Sequence, residues 1–413
     1  MSKGSNEALD GVEMGEGTIV SLLTGGADKP YALGLARALI LHGAAMDLIG
    51  NDDLDCPEFH GRLGVNFLNL RGDQRPDASF VRKVARVALY YVKLIRYAAR
   101  ANPGVFHILW NNKFESFDRT LLMCYYKWLG KRIVLTVHNV NARRRDSNDT
   151  PFNRLTLKTQ YHLADYIFVH TEKMKDELTR EFQVERNRIS IIPFGINNAV
   201  PNTHLTPADA KRKLGIRDNE KTILFFGNIA PYKGLECLVA AFHQIGTGRA
   251  DYRLIIAGRP KNCERYWTAI REEIRNGVQS GRILVRADFI PDDETEIYFK
   301  AADVFVLPYR HIYQSGVLFL GHSFGLPVLA ADVGSLRDDI AEGETGFVFQ
   351  PGDPADLARV IARYFRSDLY SDLPNRRSWI RDYATERHSW DVVARRTMNV
   401  YGRLLRMPSS SKG

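Results

Sequence analysis

Residues 302–349, ADVFVLPYRHIYQSGVLFLGHSFGLPVLAADVGSLRDDIAEGETGFVF, decide how this chain is read. Residues 303–308 form a short β-branched and aromatic run, and Gln314-Ser315-Gly316 then opens an apolar stretch too long for a second strand. The pattern predicts a buried strand that hands the chain to a turn and a helix start. Backbone N–H groups at a helix start have no intrahelical partner and the helix dipole adds partial positive charge, so a diphosphate would be stabilised there. An ordinary strand-turn-helix connection carries the same local signal, so the rest of the chain has to decide.

The same grammar occurs in both halves. An apolar strand at 19–23 leads into the turn Thr24-Gly25-Gly26-Ala27-Asp28 and a helical pattern over 31–42. Apolar runs at 106–110, 133–137 and 167–169 alternate with helical segments, which predicts a parallel sheet covered on both faces. The pattern restarts with a strand at 222–226, a turn at 227–234 and a helix at 235–245, followed by strands at 254–257, 283–285, 304–307 and 328–330. The predicted fold class is therefore α/β, with two Rossmann-like domains facing across a cleft. The boundary falls at Pro193-Phe194-Gly195-Ile196-Asn197, giving domains at 17–197 and 198–387. The last helical segment, 388–407, is expected to pack back on the first domain, and the ends 1–16 and 408–413 read as disordered.

Bulk properties narrow the function classes. A chain of 413 residues exceeds what one core usually serves, and 45% hydrophobic with 25% charged residues is ordinary for a globular protein. No window holds ~20 uninterrupted apolar residues and no secretory signal is visible, so the expectation is a cytoplasmic protein whose membrane contact is peripheral. Cys56, Cys124, Cys237 and Cys263 are scattered without the spacing of a zinc site, which reads as reduced thiols. The net charge of +9 favours an anionic partner, but no basic-aromatic recognition motif accompanies it, so no nucleic acid is expected. No cofactor and no metal are expected either.

Six ordered motifs carry a resemblance: Thr136-Val137-His138-Asn139, Ile192-Pro193-Phe194-Gly195-Ile196, residues 227–234, residues 301–308, Phe324-Gly325-Leu326-Pro327-Val328 and Glu342-Gly343-Glu344-Thr345-Gly346. In this order they resemble the retaining nucleotide-sugar glycosyltransferases of family four, which have the GT-B architecture. The resemblance implies a donor held by the second domain, with Lys233 on its phosphates and His138 facing the donor sugar from the first. Lys233 then serves as a mobile point charge on a turn. Gly227, Asn228, Arg310, Gln314, Ser315, Gly316 and Val317 are the expected donor contacts. Gly25 and Gly26 would admit sugar or phosphate close to the backbone, or serve as a simple tight turn.

The chain also departs from the family. Two glutamates usual around the donor loop are replaced by Ile312 and Leu320, and Asn228 stands where an arginine is common. Tyr309, Arg310, Gln314, Ser315 and Gly316 match instead a bacterial branch with a Tyr-Arg-x-x-x-Gln-Ser-Gly loop. Arg310 would restore phosphate charge missing at Asn228, or form a surface ion pair. The implied function is retaining transfer of a sugar from a nucleoside diphosphate sugar to a hydroxyl acceptor, lipid-linked in the setting of surface polysaccharide or glycolipid synthesis. A nucleotide-sugar epimerase and a degenerate donor-binding regulatory subunit are the alternatives.

Residues 82–100 contain six basic residues and no acidic one. At ~100° per residue, Arg82, Arg86, Lys93, Arg96 and Arg100 share one side of a helix, with Val84, Tyr91, Leu94 and Ile95 opposite and Leu89, Tyr90 and Tyr97 at the border. This stripe is either a solvated helix face or a contact with an anionic membrane surface.

Overall fold

The computed structural model describes residues 19–26, 28–75, 79–145, 148–196, 200–246 and 251–406. The expected disordered ends lie outside these residues. Two wholly parallel sheets form the frame. The first has the order β3-β2-β1-β4-β5-β6-β7, from β1 (Ile19–Leu23), β2 (Ala45–Gly50), β3 (Val65–Asn69), β4 (Val105–Ile108), β5 (Arg132–Thr136), β6 (Tyr166–Val169) and β7 (Ile189–Ile191). The second has the order β10-β9-β8-β11-β12-β13, from β8 (Lys221–Phe226), β9 (Tyr252–Ala257), β10 (Ile283–Arg286), β11 (Val304–Leu307), β12 (Val328–Ala331) and β13 (Gly346–Phe349). Strands β2, β3, β7 and β13 are absent from the sequence reading. Asp47 and Asn66 interrupt the apolar character of β2 and β3, and these two residues pair in register across the strands.

Strand order reverses beside β1 and again beside β8, and ligands of open α/β sheets bind in the crevice beyond such switch points. The ends of β1 and β4 in one domain, and of β8 and β11 in the other, are therefore where chemistry is expected. Helices α1 (Lys29–Leu41), α2 (Phe80–Arg100) and α3 (Glu172–Phe182) belong to the first domain; α4 (Leu235–Gly246) and α5 (Gly316–Ser323) belong to the second.

The terminal helix α6 (Trp390–Arg406) packs on the first sheet, where Val393, Val400, Tyr401 and Leu404 share one core with Val20, Leu22 and Leu35. His107 of β4 bridges the layers, with Nδ1 at 2.6 Å from the Tyr401 hydroxyl and Nε2 at 2.7 Å from Thr136 Oγ1. The chain thus crosses between domains twice. At the crossings the Ile196 N–H donates to the His388 carbonyl at 3.0 Å and the Trp390 indole N–H donates to the Ile196 carbonyl at 2.9 Å. Gly34 and Gly195 both lie against the Trp390 ring, so a Cβ on either would collide with it.

Candidate active site

In the second domain the chain leaves β8 through Gly227, whose φ of +104° favours glycine. The missing side chain has a use, because Lys233 Nζ sits 2.9 Å from where a Cβ on Gly227 would stand. The expectation of a mobile lysine on an open turn is corrected here. Lys233 is 5% exposed, and its ammonium lies 5.4 Å from the centroid of the Tyr309 ring, a cation–π distance. Gly234 has a φ of +66°, and a Cβ there would strike the Pro308 carbonyl, so the lysine turn is pressed against the end of β11. The Arg310 N–H donates to the Tyr232 carbonyl at 2.8 Å and knits the two loops together. The Arg310 guanidinium pairs with Glu236, the ion-pair alternative of the sequence reading, while Asn228 is exposed beside the turn.

The donor loop ends at α5. Ser315 is its N-cap residue, yet its side chain makes no capping bond; its hydroxyl instead lies 3.1 Å from that of Tyr309. The amides opening α5, at Gly316 and Val317, therefore have no side-chain cap. Gly316 does not have a positive φ, so its backbone conformation is open to other residues. Its constraint is space: a Cβ would lie 3.4 Å from the Phe194 ring and 4.0 Å from Asp28 Oδ2, both in the first domain. Gln314 donates from Nε2 to Asp339 Oδ2 at 3.2 Å, and its buried Oε1 has no hydrogen-bond partner among the described residues. Burial pushes the Asp339 carboxyl up to about 7. Leu320 is buried and lines the cleft, and Ile312 lines a neighbouring cavity of about 590 Å³ with Arg144, Arg310 and Tyr313. The Tyr313 hydroxyl reaches across the domains, donating to Glu177 Oε1 on α3 at 2.8 Å.

On the first-domain side, Gly25 and Gly26 have φ of +61° and +68°. A Cβ on Gly25 would strike the Trp110 carbonyl, and one on Gly26 would come within 2.7 Å of Arg71 Nη1, whose guanidinium donates to the Gly25 carbonyl. His138 stacks on Trp110 with ring centroids 4.2 Å apart and meets the Tyr31 ring edge-on at 4.6 Å. His170 Nδ1 lies 3.2 Å from the Ile192 carbonyl, which can only accept, so this nitrogen carries the proton. Burial holds the His170 pKa down to about 4, so the ring is neutral and its Nε2 is an acceptor. His138 Nδ1, 3.0 Å from that Nε2, must donate. His138 is held neutral by burial and by the neighbouring histidines, which leaves its Nε2 as a buried acceptor with no partner among the described residues.

Between the domains lies a cavity of about 580 Å³ lined by Gly26, Asp28, Asn51 and Asp53 on one side and Phe289 and Asp292 on the other. Asp28 also caps α1 by accepting from the Tyr31 N–H at 3.1 Å, and burial raises its carboxyl. Asp28, Arg71, Trp110 and His170 were missed as site residues. Only Asp28 left a local signal, an Asp directly before Lys29-Pro30 at a helix start. Among the described residues no group of three His, Cys, Asp or Glu side chains is placed to hold a metal.

The basic stripe lies on α2, away from these loops. Arg82, Lys93, Arg96 and Arg100 are exposed and Arg86 is half-buried. Two assignments are corrected: Val84 is exposed rather than packed, and Tyr90 is buried rather than bordering the stripe, because the helix turns Tyr90, Tyr91, Leu94 and Ala98 onto the sheet. Among the described residues no helix is long and apolar enough to cross a membrane.

Residues 29–200 match the family described as Glycosyltransferase Family 4, and residues 220–367 match Glycosyl transferases group 1. The chain is a glycosyltransferase built from these two matched halves. An uncharacterized glycosyltransferase of Methanocaldococcus jannaschii is 24% identical over 396 residues, covering 90% of this chain and 93% of its own. The D-inositol 3-phosphate glycosyltransferase of Corynebacterium efficiens is 27% identical over 249 residues, 57% of this chain and only 58% of that enzyme. Among solved structures, Anabaena HepE in complex with UDP and glucose aligns over 93% of this glycosyltransferase and 99% of HepE, with a TM-score of 0.70 at 15% identity. Sucrose-phosphate synthase from Thermosynechococcus elongatus aligns over 94% and 98%, with a TM-score of 0.69 at 19% identity. At such identities the likeness shows the fold: GT-B, with two Rossmann-like domains.

Proposed function

We propose that this glycosyltransferase moves a sugar from a nucleoside diphosphate sugar to a hydroxyl acceptor with retention at the anomeric carbon. The observation that carries the reading is the uncapped start of α5 beside the donor loop that packs on the Lys233 turn. Uncapped amides and an ammonium suit a diphosphate, whose charge grows as the glycosidic bond breaks. Two buried acceptors, His138 Nε2 and Gln314 Oε1, suit sugar or ribose hydroxyls, which would donate to them. The anomeric carbon–oxygen bond to the diphosphate breaks, the acceptor oxygen bonds to the same face, and its proton passes to the leaving phosphate oxygen. No enzyme nucleophile or metal is consumed in that balance. Gly227, Asn228, Arg310, Ser315 and Val317 complete the donor side in this reading, and Gly25 and Gly26 the acceptor side.

The setting we infer is the cytoplasmic side of a bacterial membrane, with the stripe Arg82, Arg86, Lys93, Arg96 and Arg100 on α2 facing anionic lipid and a lipid-linked acceptor of surface polysaccharide or glycolipid synthesis. Ile312 and Leu320, apolar where the family has carboxylates, favour one second reading, a donor-binding subunit without turnover. A panel of nucleotide sugars, scored for diphosphate release with and without lipid-linked acceptors, tests both. Acceptor-dependent release with retained anomeric configuration is expected; binding without release would sink the transfer reading.

A further inference from the structure

A cavity of about 770 Å³ lies away from the cleft, at the outer edge of the first sheet, and among the described residues only those of the first domain line it. It opens where α2, whose Leu94 and Ala98 share a core with Phe106 of β4 and Ile133 of β5, reaches β2 through Tyr97 and leaves the edge strand β3 partly exposed. Leu68 and Leu70 make its apolar wall on the α2 side of the sheet, while Phe59 and Phe67 border it from the core on the other face. Lys93, Arg96 and Arg100, one edge of α2, make its rim, and none of the three has a hydrogen bond or ion pair among the described residues.

The floor is polar. Asp47 is 8% exposed; its Oδ2 accepts from the Tyr97 hydroxyl at 2.6 Å and its Oδ1 from Asn66 Nδ2 at 3.0 Å. The Tyr97 hydroxyl, having donated to Asp47, accepts from Ser21 Oγ at 2.6 Å. Three cations against one carboxylate leave the pocket net positive. The carboxylate retains lone pairs for a hydroxyl but would repel a phosphate at the floor. An anion is therefore held at the rim, a hydroxyl at the floor and hydrocarbon on the leucine wall. Exposed Val81, Leu89 and Val92 continue along the outer side of α2.

We propose that this groove binds an anionic glycerophospholipid as a discrete ligand, with its phosphate among Lys93, Arg96 and Arg100 and a headgroup hydroxyl on Asp47. The membrane setting proposed above supplies the lipid, but the groove requires more than a charged face. A flat basic surface counts charges, whereas a groove distinguishes which charges and holds the ligand in place.

The test uses the full chain with vesicles of phosphatidylglycerol or phosphatidylcholine, and a photoactivatable phosphatidylglycerol whose adducts are mapped by mass spectrometry. Replacing Lys93, Arg96 and Arg100 by Gln is compared with replacing Arg82, Lys83 and Arg86 by Gln, the same charge change on the same helix outside the cavity. The expected result is adducts within 59–70 and on the order of a hundredfold weaker vesicle binding for the first triple, well beyond the loss in the second. Thermal unfolding of both triples checks that each is folded. Equal losses, with adducts confined to 80–92, would overturn the groove and leave the flat-surface reading. Absence of binding to either vesicle would overturn both. Displacement of the lipid by millimolar inorganic phosphate alone would assign the rim to free phosphate instead.

Discussion

His138 Nδ1 and His170 Nε2 are hydrogen-bonded at 3.0 Å, and the Ile192 carbonyl behind His170 fixes which of the two donates. The relay turns an unpartnered His138 Nε2 into an acceptor for a substrate hydroxyl. His138→Ala should lower turnover on the order of tenfold to a hundredfold, more than it lowers stability. Because the ring is already neutral, the variant should leave the position of any acid limb in the pH–rate profile unchanged. A limb that disappears with His138 would mean the imidazole titrates during turnover. Unfolding without a rate effect in the folded fraction would make it a packing residue.

Lys233→Met tests the leaving-group role better than alanine does. The side chain is buried over Tyr309, so alanine would remove packing together with charge, whereas methionine keeps most of the stem. A rate on the order of a hundredfold lower with the melting temperature nearly preserved is expected. Near-normal turnover at saturating donor would refute the assignment.

How much of this was legible follows from what local pattern can encode. Strands β1, β8, β11 and β12 are apolar and bounded by glycine or proline, so they read directly from the chain. Asp47 and Asn66 conceal β2 and β3, because their side chains are satisfied by each other and by Tyr97, from a helix distant in sequence. The sequence placed Gly227, Lys233 and residues 314–316 around a shared donor region, and the structure does bring these loops together. The burial of Lys233 was not legible, since it depends on a ring contributed by another strand end. Nor was the hold of Asp339 on Gln314, or that of Arg71 on the glycine turn, because both arise from tertiary contact.

Gly316→Val should weaken nucleoside diphosphate binding on the order of tenfold, through crowding rather than backbone strain. Phe194 stands 3.4 Å from the first added carbon, and a β-branched side chain needs more room than that. Gly316→Ala should lie between the two. Calorimetric titration with nucleoside diphosphate checks this series, and unchanged affinity in the valine variant would remove the start of α5 from the site.

Gln314→Glu places a carboxylate against Asp339, whose carboxyl burial already holds at about 7. Two adjacent carboxyls should share a proton, pushing one of them further up. Diphosphate binding should then weaken as pH rises from 6 to 8, when a second negative charge forms beside the donor loop. Binding that is pH-independent relative to the parent would show that the two side chains do not face each other.

His107 gives the last test, on stability. Burial between Tyr401 and Thr136 holds its pKa down to about 3, against about 6.5 in an unfolded chain. Above 6.5 both states carry a neutral ring and the group contributes nothing to pH dependence. As pH falls from 6.5 towards 3, only the unfolded chain takes up this proton, so the native state loses stability by up to ~1.4 kcal/mol per pH unit from this residue. His107→Gln cannot titrate and should lose less stability than the parent over the same interval, whatever its stability at neutral pH. Urea unfolding at pH 7.5, 6 and 5 measures the difference. Parallel curves would mean that the ring is protonated in the native fold, and the link from α6 through Tyr401 to the sheet would have to be redrawn.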